Sequence, residues 1–344
     1  MLVETKRIPV KEVIFIGLLP EFVKKIIYKC KGYNIGKGVK IGFGSVIISR
    51  HVTIKEYSEI GLFSAIIADS VEIGRFSKIG GFTYINCVKL ILGDDSKIRE
   101  QVYVGGTLNP DSELIIGDRC SIGQSSYINP ARRILIGDDT AIGGSGFIFT
   151  HGSWQSILDG YPVIYEPVTI ESNVYIAWRV FIHPGITIGE NSTIAADSSV
   201  TISVPPNSLA SGSPLRIALS GSNKWPRTLS SYTKIKIIED INDHFSDYLN
   251  HHGFRVVLER TDKCDVLNLI QRKNSIFFYK IEPDEVTLIE NNTYLFLKDT
   301  LYNTIKNQNI MILNIGKHMR TGSNELGEEY VRYLSRYGIR FSRI

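Results

Sequence analysis

Isoleucine, with a few leucines and valines standing in for it, returns every sixth residue through most of the first 205 residues, usually followed by a small or polar residue. Ile35, Ile41 and Ile47 open the series. Ile54, Ile60, Ile66 and Ile73, Ile79, Ile85 continue it, and it resumes at Ile116, Ile122, Ile128, at Ile136, Ile142, Ile148 and from Ile170 to Val200. A period of six in blocks of three fits neither an α-helix nor an ordinary sheet; it marks a β-helix of stacked triangular coils. In such a prism the aliphatics point inward and stack on the coil below, so burial of apolar surface stabilises it. Small residues fall at the corners, where a Cβ would crowd the turn.

The interruptions are as informative as the period. From Ile35 to Ile188 successive coils run 19, 19, 19, 24, 20, 34 and 18 residues. The 24-residue coil holds a bulge with Gly105-Gly106-Thr107-Leu108-Asn109-Pro110, and the 34-residue coil extrudes a loop over residues 151–167. Long irregular loops in a regular solenoid are usually functional or disordered. Trp154, Tyr161 and Tyr165 in this one argue for order and function.

With 344 residues the chain suits two domains. We divide it into an N-terminal cap segment (1–31), the β-helix (32–222) and a C-terminal α/β domain (223–344), with a linker over Ser220–Lys224. In the last part a helix is expected over Asp240–His252, strands over Phe254–Glu259 and Ile276–Ile281, and a helix over Asn292–Asn307. A strand over Ile310–Ile315, a helix over Glu325–Tyr337 and a strand over Ile339–Ser342 follow. Lys317–Ser323 lies between a strand and a helix, where α/β folds bind anions; an ordinary basic connection is the simpler reading.

The net charge of +4 permits an anionic ligand without the clustered basic and aromatic residues of a nucleic-acid protein. Cys30, Cys87, Cys120 and Cys264 are far apart and form no CxxC pair, so neither a disulfide framework nor a zinc site is implied. No signal peptide or membrane span is read, and the expected location is cytoplasmic. Glu21–Lys31 is basic and amphipathic, with Phe22, Ile26 and Ile27 on one side. It could touch an anionic membrane, but a helix closing the open end of the solenoid is the better reading.

The run from Pro167 to Ile217, with Pro167-Val168-Thr169-Ile170, Pro184-Gly185-Ile186-Thr187-Ile188-Gly189, Val204-Pro205-Pro206 and Ser211-Gly212-Ser213-Pro214, resembles the closing section of the hexapeptide-repeat acyltransferases. The branch it looks most like contains galactoside and maltose O-acetyltransferases and capsule or lipopolysaccharide O-acetyltransferases. The resemblance covers roughly residues 32–220 and implies an all-β left-handed parallel β-helix, to which the C-terminal α/β domain is an addition. The left hand comes from the resemblance alone, since sterics favour right-handed crossovers.

It further implies a homotrimer with active sites between subunits, acetyl-CoA as co-substrate, a carbohydrate acceptor and no metal. Phe149-Thr150-His151 matches the Thr-His element of the sugar acetyltransferases, making His151 the catalytic base. Imidazole titrates near neutrality and suits proton removal from a sugar hydroxyl. The oxyanion would be met by an N–H of the Gly143–Gly146 corner or of the facing chain. For the cofactor the resemblance points to Ala177, Trp178 and Ala195, where the family often has glycine, and to Gly212, Pro214 and Arg216 at the phosphate end. Arg179 and Lys224 are secondary candidates. Asn129, Trp154 and Tyr161 are candidates for the acceptor site. His51 should be a surface residue, and His183 should point outward and line the groove.

The function expected is acetyl-CoA-dependent O-acetylation of a sugar hydroxyl on a bacterial surface polysaccharide or its precursor. N-acylation of an amino-sugar nucleotide and a non-enzymatic trimeric scaffold are the alternatives. A serine acetyltransferase would need a helical N-terminal extension, and γ-carbonic-anhydrase chemistry three converging histidines.

Overall fold

The computed structural model describes residues 10–281, 286, 288–297, 309–316 and 318–343. The chain divides into two compact units, Met1–Arg227 and Thr228–Ile344.

The first unit is a triangular prism of three sheets of eight, ten and eight strands, parallel but for the last strand of the second, which the chain visits in turn. The sixfold period is the reason: each hexad contributes a two- to four-residue strand and a corner, and its aliphatic enters the prism. Ile35, Ile54, Ile73, Leu92, Ile116, Ile136, Ile170 and Ile188 follow one another in register up the first sheet. All are buried in one continuous core. After Leu92, Ile98 and Val104 carry the series through the 24-residue coil.

Corners are tight enough to select glycine by contact. A Cβ on Gly123 would lie 2.3 Å from the Gly144 nitrogen and 2.5 Å from the Gly143 carbonyl carbon of the next coil. Gly123→Ala is therefore expected to cost about 1–3 kcal/mol or more, read as a lowered midpoint of urea denaturation with the secondary structure otherwise retained.

The first coil has no coil beneath it to satisfy its polar groups. The cap segment supplies them. Helix Glu21–Cys30 turns Lys24 and Tyr28 inward; Lys24 Nζ donates to Gly42 O (2.7 Å) and Ser45 O (3.2 Å), and the Tyr28 hydroxyl accepts from Ile47 N (2.9 Å). Gly44 N donates to Gly17 O (2.7 Å). The face that docks is thus not the expected one: Phe22 and Ile26 are exposed, and a lysine and a tyrosine are buried.

At the other end, strand Ser208–Ser211 extends the second sheet and Arg216–Ser220 turns back antiparallel to it. Ser220, expected to begin a linker, is paired with Ser208 in this hairpin. Cys87 and Cys120 are buried in the prism, and burial pushes their thiols up to about 12 and about 11.

The second unit holds a seven-stranded mixed sheet in sequential order. Helices Ser231–His251 and Glu325–Leu334 pack on its core. Strands Cys264–Leu269 and Met319–Thr321 went unread in the sequence. Thr293–Phe296, expected as the start of a helix, is a strand with all four residues buried; residues 298–308 lie outside those described. The Lys317–Ser323 stretch is not an open anion loop, because Met319–Thr321 pairs with Met311–Asn314. The N-terminus of the following helix is capped by Asn324, whose Oδ1 accepts from Gly327 N (2.8 Å).

Candidate active site

His151 stands where the sixth coil leaves the third sheet. The preceding Thr150 is fully buried and ties down both ends of the loop. Its Oγ1 donates to Asn129 O (2.8 Å) and accepts from Arg132 N (2.9 Å), and its carbonyl accepts from Glu166 N (3.0 Å). From that anchor the loop rises as a short hairpin, His151–Gly152 against Ile164–Tyr165, with a 3-10 turn over Ile157–Asp159. Tyr165 is directly opposite His151, and its ring stacks on the imidazole at 5.4 Å. The Tyr165 and Ser153 hydroxyls are 3.1 Å apart.

Below the histidine an aromatic ladder climbs the outer face of the third sheet. Tyr84, Tyr103, Tyr127, Phe149 and Phe181 stack in turn, with centroids 4.8–5.3 Å apart. His151 lies 6.2 Å from Phe149, and His183 lies 4.7 Å from Phe181. Both histidines therefore flank one stacked phenylalanine pair. His183 points outward as alternation about buried Ile182 requires, with Nε2 3.0 Å from Ser199 Oγ. His51 is exposed at the start of strand His51–Ile54 and not at a corner. Burial against these rings lowers the pKa of both His151 and His183 below the usual 6.5. His151 Nδ1 is buried and has no hydrogen-bond partner among the described residues.

The expected cofactor residues form a second group. Ile142, Ile176, Ile194 and Ala210 are in register in the second sheet. Gly143, Ala177, Ala195 and Ser211 therefore follow as a column at one corner, with Trp178 and Gly212 one residue further on. The Ala177 and Ala195 N–H groups donate to Ile194 O and Ala210 O (both 2.9 Å), so they hold coil to coil; carbonyls and side chains are what this column offers a ligand. Trp178 lies over Gly144, where a Cβ would come 2.7 Å from its ring. Arg179 is held by Asp197 through two bonds of 2.6 and 2.9 Å. Arg216 is exposed at the start of the terminal hairpin, after Gly212 in a left-handed conformation (φ +102°) and Pro214.

Other expected residues are placed differently. Asn129 is only 4% exposed and is covered by Gly106 of the preceding coil, where a Cβ would meet its Oδ1 at 2.3 Å, so the bulge shields it from an acceptor. Trp154 is 98% exposed and Tyr161 is exposed as well; the ring that meets His151 is Tyr165. The Gly143–Gly146 corner cannot serve broadly as an oxyanion donor. Gly143, Ser145 and Gly146 N–H already donate to Ile176 O (2.7 Å), Gln124 O (2.8 Å) and Ser126 Oγ (3.2 Å). That corner and His151 also lie at opposite edges of the third sheet, so in one chain the base and the corner column are apart. Among the described residues no group of three or more His, Cys, Asp or Glu side chains could hold a metal, and no helix is long and apolar enough to cross a membrane.

No family model matches the chain. Galactoside O-acetyltransferase of Escherichia coli is 46% identical over 68 residues, 17% of this chain and 34% of that protein. A Schizosaccharomyces pombe protein named "Putative acetyltransferase" is 50% identical over 50 residues, 14% of this chain and 24% of that protein. The chain thus spans about a third or less of the length of these relatives. Among solved structures, the polySia-specific acetyltransferase NeuO aligns at 20% identity and a TM-score of 0.33, over 57% of this chain and 88% of that one. The hexapeptide-repeat acetyltransferase VCA0836 of Vibrio cholerae aligns at 21% identity and a TM-score of 0.28, over 61% and 87%. The relatives in sequence are named acetyltransferases, and the structural neighbours are hexapeptide-repeat acetyltransferases.

Proposed function

We propose that this protein transfers an acetyl group from acetyl-CoA to a sugar hydroxyl of a bacterial surface polysaccharide or its precursor, with His151 as general base. The observation that carries the reading is His151 itself. It is anchored through Thr150, stacked on Tyr165 with Phe149 beside it, and held neutral by burial. Its position after Phe149-Thr150, before the longest insertion in the coils, is the one the resemblance assigns to the base.

Acetyl-CoA supplies the acyl group as a thioester. His151 takes the acceptor hydroxyl proton as the new carbon–oxygen bond forms, and returns it to the departing sulfur as the carbon–sulfur bond breaks. No covalent enzyme intermediate is needed. Arg216 suits a phosphate of the donor, and the corner of Ala177, Ala195 and Gly212 suits its pantetheine arm. Separation of that corner from His151 within one chain fits a trimer whose sites are shared between neighbouring copies, and the left-handed winding belongs to the same resemblance.

The test is acceptor-dependent release of thiol from acetyl-CoA across a panel of sugars; release unaffected by every acceptor would refute the function. The pH profile follows from the sign of the His151 shift. Its pKa is below 6.5, so the base form predominates at neutrality. kcat/KM is expected to be level above pH 7 and to fall tenfold per unit only below the depressed pKa. A limb centred above 7 would point to another base.

A further inference from the structure

We propose that the N-terminal cap docks this protein on an anionic lipid surface. Cap residues Val10, Ile14, Leu18, Phe22 and Ile26 recur every fourth position, with Phe15 beside them, and are 47–73% exposed. Phe22 and Ile26 are two positions from Lys24 and Tyr28, roughly 200° round the helix. Phe22 and Ile26 therefore point away from the prism end that Lys24 and Tyr28 plug, and Val10, Ile14, Phe15 and Leu18 are exposed in the segment before that helix. A cap serving only to close the core would turn Phe22 and Ile26 inward and leave lysine in water; here the polarity is inverted.

Charge identifies the occupant. Apart from the buried Lys24, residues 10–50 carry seven basic side chains against two acidic ones, while the whole chain nets +4. Lys11, Lys29 and Lys31 are exposed on this end, as are Lys37 and Lys40 of the first coil. Exposed apolar side chains together with exposed lysines at one end of the prism match a bilayer whose interior takes Phe15, Phe22 and Ile26 and whose headgroups are negative. These side chains lie outside the His151 region, so docking and acyl transfer are separable.

The full-length protein would be floated with vesicles of phosphatidylcholine alone or with about 30% phosphatidylserine, a composition that raises the negative surface potential. Binding to the mixed vesicles should exceed that to neutral ones by about tenfold and weaken with salt. Substituting Phe15→Ser, Phe22→Ser and Ile26→Ser together should reduce it about tenfold or more, with the denaturation midpoint and thiol-release rate unchanged. Absence of the wild type from the floated fraction, or equal flotation of the triple variant, would overturn the proposal. So would a change in oligomeric state in the triple variant without lipid, which would assign these side chains to a second copy of the chain.

Discussion

His151→Ala is expected to lower the acetyl-transfer turnover by about 10²–10⁴-fold, the range that positioned general-base catalysis contributes, while the KM for acetyl-CoA changes little. The split follows from where the residue sits. His151 stands on the hairpin beside the aromatic ladder, at the opposite edge of the third sheet from the Ala177, Ala195 and Gly212 corner, so its removal leaves that corner intact. The fold should be unaffected, because the loop is anchored by Thr150 through Asn129 O, Arg132 N and Glu166 N and not by the imidazole. His183→Ala is the matched control. His183 flanks the same phenylalanine pair and is also kept neutral by burial, but its Nε2 is engaged with Ser199 Oγ. A loss below about tenfold is expected there, far less than general-base removal gives. If the two effects were reversed, His183 would be the base and the Thr-His match would be coincidental. Full turnover in His151→Ala would remove the histidine from the reaction altogether.

The coils were legible because one inward residue in six is a repeated and unambiguous signal. Ile35 through Ile188 could be placed in register by counting alone, and the two long coils could be found as departures from it. What counting misses is how outward side chains meet. Tyr165 reaches His151 across a hairpin that no periodicity announces. Asn129 looked available beside Pro130, but two glycines in the coil below let the Gly105–Gly106 bulge fold over it. The meeting of Trp178 and Gly144 did leave a trace: a glycine pair in one coil sits beneath the only tryptophan of that corner column. In the second unit, Thr293–Phe296 combines β-branched and aromatic residues that favour a strand. Burial of all four hides the alternation by which a strand is recognised.

Mixing two inactive variants provides the sharpest check on a shared site. Arg216→Glu should abolish acetyl-CoA saturation by setting a carboxylate against the donor's phosphates, and His151→Ala should abolish turnover by removing the base. In one chain these positions belong to different edges of the prism: Arg216 begins the last strand of the second sheet, and His151 leaves the third. If each site draws the base from one copy and the donor corner from its neighbour, co-refolding the two variants in equal amounts regenerates intact sites. Random assembly in a closed ring makes about a quarter of all sites intact, so activity should rise from the residual level of either parent to about a quarter of the wild type. Sites built wholly within one chain cannot behave this way, because every chain in the mixture carries one lesion. Activity remaining at the parental level, in mixtures shown to exchange subunits, would confine both functions to one copy and require acetyl-CoA to span the outer face of the third sheet.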